Sequence, residues 1–149
     1  MAVYKGPVSE VNNLDMLFSD SAQVRIHLTA PLQLELENGD RTFPKGVFME
    51  FFDEKGVKTS TLKANKGVRY ANNLYNVRGN VIVNNLEKNE TLNTEELNWK
   101  PETKKIYTEK FVTIKTPESV LQGTGLDAEQ DFSRYHIRQP TGDLPLDNK

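Results

Sequence analysis

Val24, Ile26 and Leu28 alternate with Arg25, His27 and Thr29, and past Pro31 the residues Leu32, Leu34 and Leu36 alternate with Gln33, Glu35 and Glu37. A period of two belongs to the extended strand, whose successive side chains leave opposite faces, so each run predicts a strand with one dry face. The alternation returns in GVFMEFF through Val47, Met49 and Phe51, and again over 59–64 and 67–70. In LYNVRGNVIVNN (74–85), Val77, Val81 and Val83 share one side and Arg78 and Asn80 the other, with Ile82 the apolar exception on the polar side. Turn formers separate these runs: Asn38-Gly39-Asp40, Asp53-Glu54-Lys55-Gly56 and Ala71-Asn72-Asn73.

The runs also recur as a unit. TLKANKGVRYANNLYNVRGNVIV (61–83) is answered about thirty residues on by TLNTEELNWKPETKKIYTEKFVTI (91–114), where Leu92 matches Leu62, Trp99 matches Tyr70, and Val112 with Ile114 match Val81 with Val83. Residues 24–52 read as a first copy and 120–137 as a partial one, each a strand, turn, strand, small polar step and strand. Such repetition predicts an all-β chain, either a sandwich or an open roll of antiparallel strands. Gly79-Asn80 is expected to bend its strand, and Gly123-Thr124-Gly125 to make a bulge or bend.

Helical spacing is confined to Val11, Leu14 and Phe18, barely two turns, so 1–22 is expected to be an N-terminal arm or an expression-derived segment. The domain is placed at 23–138, and 139–149, with two prolines and no period, is expected to be a loose tail.

A chain of 149 residues suffices for one domain with a continuous core. Its formal net charge of -2, with cations scattered among carboxylates, argues against a nucleic-acid partner. The absence of cysteine removes disulfides, thiolate metal sites and a cysteine nucleophile. No apolar run approaches the roughly 18 residues of a membrane span, so this chain is expected to be soluble.

The residues give little sign of chemistry. Glu95-Glu96 would leave opposite faces of a strand, and Asp53-Glu54 belongs to a turn, so neither pair suits two carboxylates flanking one bond. Asp127, Glu129 and Asp131 would line one strand face as hard oxygen donors, but a solvated face explains them and the calcium-hand loop is absent. His27 and His136 sit in the polar phase, where surface roles are expected. No catalytic residue, metal or cofactor is expected. Phe51, Tyr70, Tyr75, Trp99 and Phe111 could offer a sugar-stacking platform, which keeps a carbohydrate-binding β-sandwich as the alternative, although Phe51, Tyr70 and Trp99 run in phase with core aliphatics.

In their order and spacing, VRGNVIV (77–83), ETLNTEELNW (90–99), KKIYTEKFVTI (104–114) and GTGLDAEQDF (123–132) resemble the periplasmic lipopolysaccharide-export proteins of the LptC and LptA (OstA-like) group, most closely LptC. The acidic strand 32–37 and the FPKG corner resemble the lipoprotein-like rather than the single-helix type. The resemblance implies an open, twisted antiparallel β-roll or β-jellyroll without enzymatic activity, anchored at the inner membrane in its natural form and working in the periplasm. It implies receipt of lipopolysaccharide from the periplasmic domains of an inner-membrane ABC transporter and transfer to an LptA-like bridge protein.

For that role the apolar set in phase, Val24, Ile26, Leu34, Met49, Leu62, Tyr70, Val81, Val83, Trp99, Val112 and Ile114, would line a trough for the lipid A acyl chains. Sequence phase alone does not separate an open trough from a filled core. Unpaired strand edges would serve the partners, one at Val24, Ile26 and Leu28 and one at Phe132, Arg134 and His136, with edge-to-edge self-association also possible.

Overall fold

The computed structural model describes residues 6–145. It is all-β: β1 (Ser9–Asp20), β2 (Gln23–Glu35), β3 (Arg41–Phe43), β4 (Val47–Phe52), β5 (Lys58–Ala64), β6 (Lys66–Arg69), β7 (Tyr75–Asn85), β8 (Glu90–Lys100), β9 (Lys105–Lys115), β10 (Ser119–Glu129) and β11 (Tyr135–Pro145). All belong to one antiparallel sheet. β3 and β4 both pair with β2 and act as one strand broken at Pro44-Lys45-Gly46, while β5 and β6 both pair with β7 and act as one strand broken at Asn65. With those breaks healed, every strand lies beside its neighbour in sequence, so the sheet is an uninterrupted meander from β1 to β11.

A single flat meander would leave one apolar face in water, and the irregularities show how the chain avoids this. Gly46 (φ 107°) lies against the carbonyls of Ala64 and Asn65, and the Asn65 N–H donates to the Gly79 carbonyl at 2.9 Å. The row continues in the ladders, where register shifts between Arg78 and Val81, between Thr94 and Asn98, and between Thr124 and Leu126. Gly79 (φ 85°), Asn80 (φ 48°) and Gly125 (φ 85°) supply the left-handed backbone these steps require. The expected bends at Gly79-Asn80 and in Gly123-Thr124-Gly125 are therefore present, and they form a crease along which the sheet folds over itself.

Rings from distant strands meet across the fold: Phe18 of β1 packs edge-on against Trp99 of β8 with centroids 5.1 Å apart. Phe51 of β4 likewise meets Phe132, in the β10–β11 turn, at 5.8 Å.

Two expectations need correction. Residues 9–20 form β1, paired with β2 along its length, rather than an arm with a helical turn. Leu14, Met16 and Phe18 pack on the core at a spacing of two, and the strand wins because β2 offers a full ladder where an isolated two-turn helix would have only its own few bonds. The expected loose tail is the second half of β11 as far as Pro145, paired with β10 from Ser119; residues 146–149 lie outside the described residues.

Candidate functional site

The folded sheet turns its dry face inward. Ile26, Met49, Leu62, Val81, Val83, Trp99, Val112 and Ile114, all expected to line the trough, are buried in one cluster, with Val81 and Val112 at 0% exposure. Among the described residues no charged side chain is buried; the polar ones are Gln33, Thr59, Ser60, Asn76, Asn85, Thr94 and Thr108.

Three trough residues fall elsewhere. Val24, Leu34 and Tyr70 are half-buried and outside that cluster. At Pro31 the crease reverses the phase of β2, so Gln33 turns inward in place of Leu34. Tyr70 has left β6 for a turn closed by its N–H to the Leu74 carbonyl, and Tyr75 takes the core position, with its ring 4.7 Å from Trp99.

The trough is filled. Side chains from the two halves interlock, and the void among Val83, Asn85, Glu90, Leu92, Ile114, Phe132 and Tyr135 measures about 20 Å³, room for about one water. Phe132, 3% exposed, is a core residue that the sequence does not announce, since it sits in a polar turn between Asp131 and Ser133. Tyr135 beside it donates its hydroxyl to Glu90 at 3.1 Å; burial, reinforced by the Glu90 charge, pushes its pKa up to about 12.

At the ends of the meander, β1 and β11 each have, among the described residues, a neighbour on one side only. Ile26 and Leu28 are not on a free edge, because β1 covers one side of β2 at these positions and β4 the other; Val24 pairs with Ser19 of β1. At the other end Phe132 is in the core, while the exposed Arg134 precedes β11 and the exposed His136 lies on it.

On the outer face His27 bridges β1 and β4, with Nε2 2.7 Å from Asp15 and Nδ1 2.9 Å from Glu50. The hydrogen bond with Asp15, then that with Glu50, raises its pKa. Lys58, 2.7 Å away, is the main cause of the lowered Glu50 pKa. A second tie to β1 is the ion pair of Asp20 with Lys104 at 2.6 Å.

The other candidates have local partners. Asp127 pairs with Arg138 at 2.7 Å, which lowers its pKa; Glu129 pairs with Lys105 at 2.6 Å, and Asp131 accepts from the Ser133 N–H. Asp53 accepts the N–H groups of Lys55 and Val57, a turn role. Phe51, Tyr75 and Trp99 are in the core and only Phe111 of the five aromatics is exposed, so they form no stacking platform.

Fold and edges together define a class: a folded antiparallel β-roll with an uncharged interior and a half-paired strand at either end. The profile of the family described as "Lipopolysaccharide-assembly, LptC-related" matches residues 7–139, and the chain belongs to that family. Membership carries a role in lipopolysaccharide transport as a binding or transport component that faces the periplasm. No curated protein matches the chain. Among the described residues no helix is long and apolar enough to cross a membrane.

Proposed function

We propose that this chain is a non-enzymatic carrier in a lipopolysaccharide export bridge. It accepts the lipid from the periplasmic domains of an inner-membrane ABC transporter and passes it to an LptA-like protein. The acyl chains lie between the two halves of the roll, along Met49, Leu62, Val81, Val83, Val112 and Ile114. The observation that carries this reading is the continuous interior without a buried charge, drawn from strands along the whole meander. A hydrocarbon chain needs that surface, since each methylene removed from water gains roughly 0.8 kcal/mol and a charge in the path would cancel several of them.

The natural protein is held at the inner membrane on this reading. The partners add strands at the two ends of the meander, the transporter at the β1 side next to Val24, Ile26 and Leu28, and the bridge protein at β11 with Arg134 and His136 setting register. Self-association would use the same edges.

The test is photo-crosslinking to lipopolysaccharide from probes placed singly at Val81, Ile114 and Asn80. Val81 and Ile114 face the interior and Asn80 is exposed at the crease. Crosslinks from the first two and not the third are expected; a folded protein that crosslinks from none, or from Asn80 alone, refutes the interior as the lipid path.

A further inference from the structure

Phe132 adopts φ 60°. A bulky aromatic side chain rarely occupies the left-handed region, and such a conformation persists only where its surroundings hold it. Here the hold is made by backbone bonds within the turn and by side chains from outside it. The carbonyls of three consecutive residues are gripped from the facing part of the sheet: Ser60 Oγ donates to Asp131 at 2.9 Å, Asn85 Nδ2 to Phe132 at 3.1 Å and Lys88 Nζ to Ser133 at 2.6 Å. Within the turn, Phe132 N–H donates to Glu129 and Glu129 N–H to Arg134, so the turn carries its own backbone bonds. Gln130 is tied separately, by its N–H to Lys104 and by its side chain to Trp99. Lifting residues 131–133 therefore breaks three side-chain hydrogen bonds, the Phe132 N–H bond to Glu129 and the ring contact with Phe51, and no bond of the β10–β11 ladder, which ends at Ala128 and Tyr135.

What the turn covers is a small void at the rim of the apolar interior. The Phe132 ring stands edge-on to Phe51 and walls the void of about 20 Å³ with Val83, Leu92, Ile114 and Tyr135, with Asn85 and Glu90 at its polar side. The geometry points to a hinged stopper: the Phe132 turn closes a port through which a single lipid acyl chain enters the interior, and the ring occupies the place the chain takes. This inference rests on the lipid-carrier reading above and deepens it by naming the point of entry.

The chain has no cysteine, and Lys88 and Ser133 are both exposed, so Lys88→Cys with Ser133→Cys can be joined by a short, reducible bis-maleimide without side reactions. The readout is uptake of dansyl-undecanoic acid, with lipopolysaccharide as competitor. The joined variant is expected to lose about tenfold or more in affinity and to regain it on reduction, which also shows that it is folded. Phe132→Ala, which removes the ring and leaves the three carbonyl contacts, is expected to take up the probe more tightly than wild type.

Equal uptake by the joined and reduced forms overturns the port and leaves the carrier reading standing, as does a folded Phe132→Ala protein with unchanged or weaker uptake. Wild-type protein that takes up neither the probe nor lipopolysaccharide overturns the carrier reading and the port together.

Discussion

Phe18→Ala measures whether β1 belongs to the folded body. The Phe18 ring is half-buried and meets Trp99 edge-on at 5.1 Å and 82°, and Tyr75 at 6.0 Å and 85°. Full burial of a phenylalanine stabilises by about 1.5–3 kcal/mol, and half of that remains for a half-buried ring. Two edge-to-face pairs add about 1–3 kcal/mol before any relaxation, so a loss of roughly 2–4 kcal/mol is expected. For a domain of this size that lowers Tm by about 4–16 °C.

The neighbour Leu17 is 60% exposed on the opposite face of the strand, and Leu17→Ala is expected to change stability by no more than about 0.5 kcal/mol. Denaturant unfolding followed by fluorescence suits the experiment, because the chain has one tryptophan and Phe18 touches it. A Phe18→Ala cost no larger than that of Leu17→Ala would refute the reasoning, since it would mean that β1 rests on the body without packing against it.

Two further predictions concern the same strand. Ser21 (φ 53°) and Ala22 (φ 65°) form the two-residue turn between β1 and β2, a geometry that favours Asn-Gly, and a left-handed residue other than glycine costs about 1–2 kcal/mol. Ser21→Asn with Ala22→Gly is therefore expected to raise stability by about 1 kcal/mol, and an unchanged or lower Tm refutes it.

The raised pKa of His27 means that its bridge to Asp15 and Glu50 contributes fully below about pH 6.5 and is lost as pH rises through the folded value. Glu50, held below its usual value chiefly by Lys58, works in the opposite sense: its contribution is present above about pH 4.5 and lost as pH falls. Hydrogen-exchange protection factors of β1 amides should fall as pH rises above about 6.5, modestly because Asp15 is well exposed, and His27→Gln should flatten the dependence. A wild-type profile already flat over that range would show the bridge to be without weight.

Where a strand has one wet and one dry face, its side chains report the fold directly, as Val47, Met49 and Phe51 or Val77, Val81 and Val83 do. The bends were legible for a related reason: Gly79 and Gly125 occupy backbone regions that side chains avoid. Three things were hidden. In LDMLF the period of Leu14, Met16 and Phe18 is masked by Leu17, and the coincidental helical spacing of Val11, Leu14 and Phe18 competes with it. At Pro31 the crease reverses phase, a tertiary event without a local signature, so Gln33 is 5% exposed with its Oε1 unpartnered while Leu34 lies outside the core cluster. Phe132 stands alone among polar turn residues, and only the fold brings it to Phe51.

Phase was also silent on whether the interior is vacant, and that difference bears on how a carrier of this kind works. Val81, Val83, Val112 and Ile114 are already out of water, side by side on one half of the roll within the core cluster. An acyl chain that enters still gains the roughly 0.8 kcal/mol per methylene of leaving water. Against that gain stand the contacts of the side chains it displaces and the ordering of a flexible tail. The net affinity is then a small difference between large terms, lower than a preformed vacant tunnel with the same lining would give. On the proposed carrier reading this would favour transfer along a bridge, because a lipid that displaces side chains on entry would be displaced by them on exit. The property such a mechanism requires is an interior without charge, with no need for an interior that is empty.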